Sequence, residues 1–327
     1  MRFLPATMFL MCLLPLSAKE TEAEKGPVRQ IAFASCYKQT MAAPAMEAVA
    51  ALKPDVFIWM GDNIYGDTED MAVMAEKFQV VRENPAYARL RSISKVIGTW
   101  DDHDYGDNDA GAEYPMKRES QQVFLDFLDE PEGSVRRKRE GVYDVEDFGI
   151  PGKMVRVILL DTRYHRDPIG SNGTILGEAQ WSWLEKMLRE STAQVNVLVS
   201  SIQVLPEDHR FEKWENFPKE RERLFSLLAE KEVPPVILLS GDRHLSEVSM
   251  MEERCGYPLY EVTSSSLNLA LGGTKDEPNK WRVGKNFRPV NFGTLSIDWS
   301  KEVPIVTACI RDVDGVPQRA FTIELTK

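Results

Sequence analysis

The distribution of apolar and polar positions along the chain predicts an α/β protein. Up to Leu239, apolar runs of strand length alternate with segments of helical period, and beyond it the apolar runs follow one another without a convincing helix. The predicted helices are Pro44–Leu52, Met71–Arg82, Met116–Leu128, Gly177–Arg189 and Lys219–Ala229. The predicted strands are Val28–Ala34, Asp55–Met60, Ser94–Trp100, Val142–Phe148, Met154–Leu160, Val195–Ile202, Val236–Leu239, Leu245–Met251, Pro258–Ser265, Gly293–Ile297, Val303–Ile310 and Ala320–Leu325.

This order of elements predicts two β-sheets packed face to face with helices on the outside. Each sheet buries one face against the other sheet and one against helices, which gives a four-layer αββα sandwich of two mixed sheets. No Pro/Gly/Ser-rich linker divides the chain, so residues 28–327 are predicted to form a single domain.

The first residues predict export. Arg2 precedes the apolar stretch Phe3–Leu16, which is too short to span a bilayer, and small residues follow it up to Ala18. Residues 1–18 are therefore predicted to be a signal peptide, and the protein is expected to be secreted or periplasmic. No other stretch is long and apolar enough to cross a membrane, so no integral membrane segment is expected after cleavage. Cleavage would also leave an odd number of cysteines.

Charge argues against nucleic acid as a partner. The net charge is −11 and the pI is near 5.1, so the surface repels polyanions and no nucleic-acid-binding platform is expected. The one dense basic run, Arg136–Arg139, lies between Glu132 and Glu140 and is expected to be a solvated loop.

Four polar clusters follow directly on predicted strands. Because ligands bind at the carboxyl ends of strands in open α/β sheets, these clusters can converge although they are distant in sequence. The clusters are Ser35–Cys36–Tyr37, Gly61–Asp62–Asn63–Ile64–Tyr65, Asp101–Asp102–His103–Asp104 and Gly241–Asp242–Arg243–His244.

The run Asp101–Asp104 carries the most information. Three acids in four positions repel one another unless cations neutralise them, and the spacing does not fit an EF-hand. One interpretation is a solvated acidic loop. The other is a metal-binding carboxylate beside a histidine general acid, a pairing that phosphoester cleavage requires.

The other clusters contain further candidate ligands. Cys36 is either a buried small hydrophobe or a thiolate that selects a transition metal. Asp62 either closes a turn or bridges two metals, and Tyr65 is either a core aromatic or a phenolate that favours ferric iron. Asp242 and His244 alternate, so one turn can direct both at the same site.

Three other features are interpreted as structural. His165 and His209 lie in polar segments and are expected at the surface. Ser264–Ser266 lacks a nucleophile elbow and an obvious base, so it is interpreted as a polar strand end.

Taken together, the motifs resemble those of alkaline phosphatase D-like (PhoD-like) phosphoesterases, relatives of the calcineurin-like metallophosphoesterases. The resemblance runs from about residue 28 to about residue 300. It implies an αββα sandwich with an iron (Fe³⁺) site and calcium nearby. The motifs are Cys36, Gly-Asp-Asn-Ile-Tyr at 61–65, Trp-Asp-Asp-His-Asp at 100–104, Leu-Asp-Thr-Arg at 160–163 and Ser-Gly-Asp-Arg-His at 240–244.

The resemblance also implies roles for individual residues. The implied iron ligands are Cys36, Asp62, Tyr65 and Asp242. The implied ligands of the second metal are Asp62, Asp102 and His244, with Asp62 bridging. His103 takes the place of the histidine that follows a metal ligand in the wider superfamily, and Arg163 that of an arginine able to pair with a phosphate oxygen.

Two positions depart from the family pattern. The wider superfamily opens with an Asp-x-His pair, where this chain has Ala34–Ser35–Cys36. A histidine expected after the strand Val195–Ile202 is absent, and the nearest polar residues are Ser201 and Gln203.

The sequence thus predicts a secreted metal-dependent phosphoesterase acting on a small-molecule, lipid or polymer phosphate ester. A hydroxide bridging the metals would attack phosphorus, and His103 would protonate the leaving oxygen. Three alternatives remain open. They are a phosphodiesterase or phospholipase of the same fold, a metal-independent glycosidase using carboxylates of Asp101–Asp104, and a non-catalytic calcium-stabilised surface protein.

Overall fold

Within residues 26–252, 254–272 and 277–326, which the computed structural model describes, twelve strands form two six-stranded sheets. The proposed signal peptide lies outside the described residues. In chain order the strands are β1 (Gln30–Ala34), β2 (Val56–Met60), β3 (Lys95–Thr99), β4 (Asp144–Ile150), β5 (Lys153–Leu159), β6 (Val195–Ser200), β7 (Val236–Ser240), β8 (Ser246–Met251), β9 (Leu259–Ser264), β10 (Asn291–Asp298), β11 (Ile305–Asp312) and β12 (Pro317–Ile323).

The first sheet has the order β12-β11-β10-β1-β2-β3, and the second has the order β4-β5-β6-β7-β9-β8. Strands β1 to β3 are parallel to one another, as are β5, β6, β7 and β9. The first sheet combines strands from the N-terminal and C-terminal parts of the sequence, because β1 pairs in parallel with β2 and antiparallel with β10.

Helices cover the outer face of each sheet. None of the helices in the described residues is long and apolar enough to span a lipid bilayer. The α-helices are α1 (Pro44–Leu52), α2 (Met71–Arg82), α3 (Pro85–Ile93), α4 (Asp102–Tyr105), α5 (Lys117–Phe127), α6 (Gly177–Arg189) and α7 (Pro218–Ala229).

The alternation of side chains along the buried strands generates the layers. In β2, Ile58 belongs to the cluster shared with Val157 and Val199 of the second sheet, whereas Trp59 belongs to the cluster formed with the helices of the first sheet. A third cluster contains Trp181 of α6 and the helix-facing side chains of the second sheet. These three cores separate four layers and confirm the predicted αββα sandwich.

The predicted helices and strands occur within a few residues of their expected bounds, and two observed α-helices, α3 and α4, were not predicted. Helix α3 was not predicted, although Asn84 accepts hydrogen bonds from the amides of Ala86 and Tyr87 and Pro85 opens the first turn, which is a recognisable helix start. The expected acidic loop after β3 begins instead with the one-turn helix α4.

The expectation of a solvated basic loop is wrong for Arg136, which is only 5% exposed. Its Nε donates to the carbonyl of Val142 at 2.6 Å and its Nη2 to that of Gly98 at 2.6 Å. Nearby, Arg139 lies 3.9 Å from the ring centroid of Tyr143. Arg136 therefore ties the loop before β4 to the carboxyl-terminal half of β3.

Replacing Arg136 by Met should lower the free energy of unfolding by about 3 kcal/mol, because two buried carbonyl oxygens lose their donor. The measurement is the urea unfolding midpoint. Arg118→Met is the matched control, since Arg118 pairs with Glu140 on the surface with 73% of its side chain exposed, and its loss should cost less than about 1 kcal/mol. Equal losses in the two variants would contradict the assigned role.

Candidate metal centre

The polar clusters meet where strands from both sheets end. Strands β1, β2 and β3 of the first sheet and β7 of the second end just before the clusters that contain Cys36, Asp62, Asp102 and Asp242. The contacts described below bring all six predicted metal ligands into one region, at the carboxyl ends of parallel strands. The six are Cys36, Asp62, Tyr65, Asp102, Asp242 and His244.

The backbone at these strand ends is unusual. Nine non-glycine residues among those described have positive φ, and four of them are candidate ligands, namely Cys36 (57°), Asp62 (51°), Asp242 (63°) and His244 (51°). Left-handed backbone is unfavourable for such residues and is concentrated at functional sites. It turns the chain sharply at the strand end, where these side chains meet.

Two glycines let the clusters approach one another. A Cβ at Gly61, which has φ +97°, would lie 2.4 Å from the Cβ of Asp101. A Cβ at Gly241 would lie 2.5 Å from the Oγ of Ser35. Gly61 therefore allows the ends of β2 and β3, neighbours in the first sheet, to come into contact. Gly241 allows the end of β7 in the second sheet to contact the end of β1 in the first.

The first group of ligand atoms combines a thiol, a carboxylate, a phenol and an imidazole. The Sγ of Cys36 and the hydroxyl of Tyr65 each lie 3.3 Å from the Oδ2 of Asp62. The Tyr65 hydroxyl also lies 3.4 Å from the Nε2 of His244. Ligand atoms of Cys36, Asp62 and His244 all lie within 4.8 Å of one another.

The second group is entirely carboxylate. Oxygens of Asp62, Asp101, Asp102 and Asp242 lie within 4.8 Å of one another. The Oδ1 atoms of Asp62 and Asp102 are buried and accept no hydrogen bond from the described residues. Buried carboxylate oxygens without donors are costly, and cations would satisfy them. The donor set thus fits metal ions, and Asp62 is common to both groups.

Electrostatics lead to the same conclusion. Burial, followed by the charges of Cys36 and Asp102, raises the pKa of Asp62 well above its ordinary value, and burial with the charge of Asp101 does the same for Asp242. Burial raises the pKa of the Cys36 thiol to about 11. Without cations this cluster holds protons, and metal ions would replace them.

Asp102 behaves differently from its neighbours. Burial alone would raise its pKa, but the charges of Arg163 and His103 outweigh burial and hold the pKa below its ordinary value. The amide of Asp109 donates to its Oδ2 at 2.8 Å, so Asp102 stays ionised with its other oxygen available.

Residues that the sequence did not single out hold the ligands in place. Ser265, interpreted as part of a polar strand end, accepts hydrogen bonds from the amides of Arg243 at 2.7 Å and His244 at 2.8 Å, and its Oγ lies 3.0 Å from the Cys36 Sγ. The Nδ1 of His244 lies 2.7 Å from the carbonyl of Leu269, a contact that assigns the proton to Nδ1 and leaves Nε2 for a metal.

Asp104 is a structural acid rather than a ligand. Its carboxylate accepts the amides of Asp101 at 2.7 Å, Asp62 at 3.0 Å and Asn63 at 3.2 Å. Burial raises its pKa to about 8 despite these bonds. The spacing of Asp101 and Asp104 in a helix-capping pattern is the signal that identifies this role.

His103 lies beside both groups. Its Nδ1 is 2.5 Å from the Oδ1 of Asp67, and its ring centroid is 4.3 Å from that of Tyr65. Burial lowers the pKa of His103, but the hydrogen bond to Asp67 and the charge of Asp102 outweigh it, so the pKa lies above its ordinary value. Asp67 therefore holds the imidazole ring of His103 in place beside the candidate ligand carboxylates, where its raised pKa favours the protonated form.

Arg163 lies behind the metal groups. It is fully buried, its Nε donates to the Oδ1 of Asp101 at 2.5 Å, and its Nη1 donates to the Oε2 of Glu212 at 2.5 Å. Ser201 also donates to Asp101, at 2.7 Å. Gln203, where the family histidine is missing, instead donates to Glu247 at 2.9 Å.

A cavity of about 500 Å³ opens onto the centre. Its more deeply buried lining includes Asp102, Asp242 and His244, and arginines line it as well. His209, expected at the surface, is only 7% exposed, and burial next to Arg243 lowers its pKa to about 2.

The fold is that of a metallophosphoesterase-like sandwich. A model of the PhoD-like phosphatase family matches residues 75–291, and the chain belongs to this family. The resemblance drawn from the motifs is thereby confirmed. The matched region contains Asp102, His103, Asp242 and His244, whereas Cys36, Asp62 and Tyr65 lie before it.

Individual relatives agree with this assignment. Alkaline phosphatase D of Bacillus subtilis (strain 168) is 25% identical over 303 residues, which cover 74% of this chain and 49% of that protein. The chain therefore spans about half the length of this curated relative. A solved structure of PhoD superimposes with a TM-score of 0.65 at 17% identity, covering 93% of this chain and 73% of the other.

The same fold also occurs in a protein described by a different role. GAP50, the anchor in the inner membrane complex of Plasmodium, superimposes with a TM-score of 0.60 at 12% identity, covering 92% of this chain and 90% of that one. At this identity the likeness shows the fold alone, so function must be argued from side chains.

Chelator-treated protein should lose stability as pH rises from about 6.5 to about 8. Burial raises the folded-state pKa of Asp101 to about 7 and that of Asp104 to about 8, against 3.8 in an unfolded chain. The folded state therefore holds protons that the unfolded state has lost, and about 2 kcal/mol of the resulting stabilisation is lost across this pH window as they dissociate. Burial lowers the pKa values of His209 and His244, so these two residues have the opposite effect on stability, but only below their ordinary pKa of 6.5.

Thermal unfolding of chelated and metal-supplemented protein across this pH window provides the measurement. Added metal ions should flatten the dependence, because they replace the protons in the cluster. Stability that increases with pH in the chelated protein would contradict this account of the acids.

Proposed function

We propose that the protein is a metal-dependent phosphoesterase that hydrolyses phosphate esters. The observation that supports this best is the pair of buried oxygens of Asp62 and Asp102 without hydrogen-bond donors from the described residues. They lie next to His103, and Asp102 lines a cavity large enough for a small ester. Membership of the PhoD-like family agrees with this proposal. We further propose that the protein is exported, on the basis of the apolar residues at its start.

The two ligand groups suggest two kinds of metal. Thiolate and phenolate in the group of Cys36, Asp62, Tyr65 and His244 favour iron, and the carboxylates Asp62, Asp102 and Asp242 favour a hard cation such as calcium. This division exchanges His244 and Asp242 relative to the ligand sets that the motifs implied, because His244 groups with Cys36 whereas Asp242 groups with Asp101 and Asp102.

Bound metal ions would activate water as the nucleophile and stabilise negative charge on the phosphoryl group. The protein residues supply the remaining functions. His103, whose ring is held by Asp67 and whose pKa is raised, donates a proton to the leaving oxygen. Arg210 lines the cavity and places positive charge near an anionic substrate, whereas Arg243, which also lines it, is paired with Glu277.

Arg163 takes a positioning role in this proposal. Its guanidinium is occupied by Asp101 and Glu212 and is fully buried, so it orients Asp101 behind the carboxylate group and does not contact phosphate. The ion pair lets Asp101 lie close to Asp102 without a second uncompensated charge.

The geometry disfavours the other classes of function. A glycosidase needs two available carboxyl groups in the cavity, but Asp101 is paired with Arg163 and Asp104 with backbone amides. A calcium-stabilised surface protein would have no use for the thiol of Cys36 beside Tyr65. Whether the enzyme prefers a phosphate monoester or a diester depends on the shape of the substrate pocket.

Metal-loaded protein should hydrolyse p-nitrophenyl phosphate or bis(p-nitrophenyl) phosphate, and chelation should abolish turnover reversibly. His103→Gln should reduce kcat by about 100-fold or more while bound metal stays unchanged, because only the proton donor is removed. Assays on both esters, with elemental analysis of each variant, provide the measurement.

His165→Gln is the matched control, since His165 does not line the cavity and its nearest acid, Glu140, is 4.0 Å away. Its turnover should match that of the unmodified protein. Chelator-resistant hydrolysis would overturn the metal mechanism, and metal loss in His103→Gln would overturn the general-acid role.

The purified protein should contain iron and absorb visible light, because tyrosinate or thiolate bound to ferric iron gives charge-transfer bands. Tyr65→Phe and Cys36→Ser should each shift or remove the band. Tyr143→Phe, a buried tyrosine that packs on Arg139 and Trp183, should leave the spectrum unchanged. Active protein that is colourless and free of iron would exclude this ligand assignment.

A further inference from the structure

Three exposed apolar side chains line the cavity next to the candidate metal centre. Ile169 is 48% exposed, Phe211 37% and Leu271 52%, and all three line the cavity. They come from separate loops, after β5, after β6 and after β9. We call these three residues the apolar rim.

The apolar rim differs from the exposed apolar residues elsewhere on the surface, because its three members line the same cavity. Ten large apolar residues in the described part of the chain are strongly exposed, and the other seven do not line this cavity. Single exposed apolar residues need no explanation, but a group at the mouth of a polar cavity is typical of a binding site.

The position of Phe211 is fixed by charged neighbours. The guanidinium carbons of Arg210 and Arg243 lie 5.0 Å and 4.4 Å from the centroid of its ring. Such contacts between a cation and a ring hold the aromatic side chain at the cavity while part of it stays exposed. The rim therefore contains an aromatic side chain that two guanidinium groups contact, as well as two aliphatic ones.

The cavity thus has two chemically different parts. The acids and histidines of the metal centre belong to its more deeply buried lining, and the apolar rim shares the exposed lining with Asn108, Asp109 and Arg210. Its volume of about 500 Å³ also exceeds what a phosphoryl group alone would fill. A ligand that fits both parts carries a phosphoryl group at one end and a hydrophobic group at the other.

Resting on the proposed function, we propose that the apolar rim binds a hydrocarbon or aryl group of the ester. The substrate class is then a phosphate ester with an apolar arm rather than a sugar or polyol phosphate. Ile169, Phe211 and Leu271 would be its specificity-determining residues, because burying apolar surface against them favours such an arm.

Binding of methyl-, butyl- and octylphosphonate to metal-loaded protein, measured by isothermal titration calorimetry, tests this proposal without turnover. The dissociation constant should fall about two- to fourfold for each methylene that reaches the rim, and the heat capacity change should become more negative with chain length. Octylphosphonate should then bind at least about 100-fold more tightly than methylphosphonate.

The double substitution Ile169→Ser with Leu271→Ser should weaken octylphosphonate binding by about tenfold or more, because the chain loses its apolar contacts. Val316→Ser is the matched control. Val316 is also 52% exposed, lies outside the cavity between β11 and β12, and its substitution should leave the chain-length dependence intact.

The outcomes separate the two proposals. Affinity independent of chain length in a protein that hydrolyses p-nitrophenyl esters would overturn the rim proposal and leave the phosphoesterase function standing. Chain-length dependence that survives the double substitution would place the arm elsewhere and also overturn it. If affinity depends on chain length, the double substitution abolishes that dependence and the protein hydrolyses neither ester, the result would support the rim proposal and reject the proposed function.

Discussion

The structure depends on how it accommodates several carboxyl groups buried at one end of the sandwich. Like charges in a low-dielectric interior repel strongly, so each acid needs its own compensation. Asp104 is satisfied by backbone amides, and the Oδ1 of Asp101 accepts from Arg163 and Ser201. Asp62, Asp101 and Asp102 each keep a buried oxygen without a donor from the described residues. The protein therefore separates Asp104, which stabilises the fold, from acids with oxygens that are left for cations.

This separation requires both sheets. Asp62 and Asp102 follow strands of the first sheet, whereas Asp242 and His244 follow β7 of the second, so the centre forms only when the sheets face each other. Gly241 allows the two sheets to approach at this point. The positive φ angles of the ligand residues add local strain, which the surrounding β-structure must offset. Stability of the sandwich and assembly of the site are thus coupled.

The sequence was sufficient to predict the layers and the strand-end clusters, because both follow from local periodicity and from the rule that polar residues at carboxyl ends of strands converge. It was insufficient wherever a distant partner decides the outcome. Arg136 is buried because β3 offers the carbonyl of Gly98, and Arg163 is occupied because Glu212 lies beside it. No local pattern reveals either partner, nor the contact of Ser265 with Cys36.

The division between strand ends and loops also explains how one fold serves different roles. The ligands lie at or next to the ends of buried strands, where packing holds them to within a narrow geometry, whereas Ile169, Phe211 and Leu271 lie on connecting loops. Loops tolerate substitution more readily than buried strands. Substitutions in these loops can therefore change substrate preference without disturbing the candidate metal centre. For this chain, the two groups of candidate ligand atoms that share Asp62 are the feature on which the proposed hydrolysis rests.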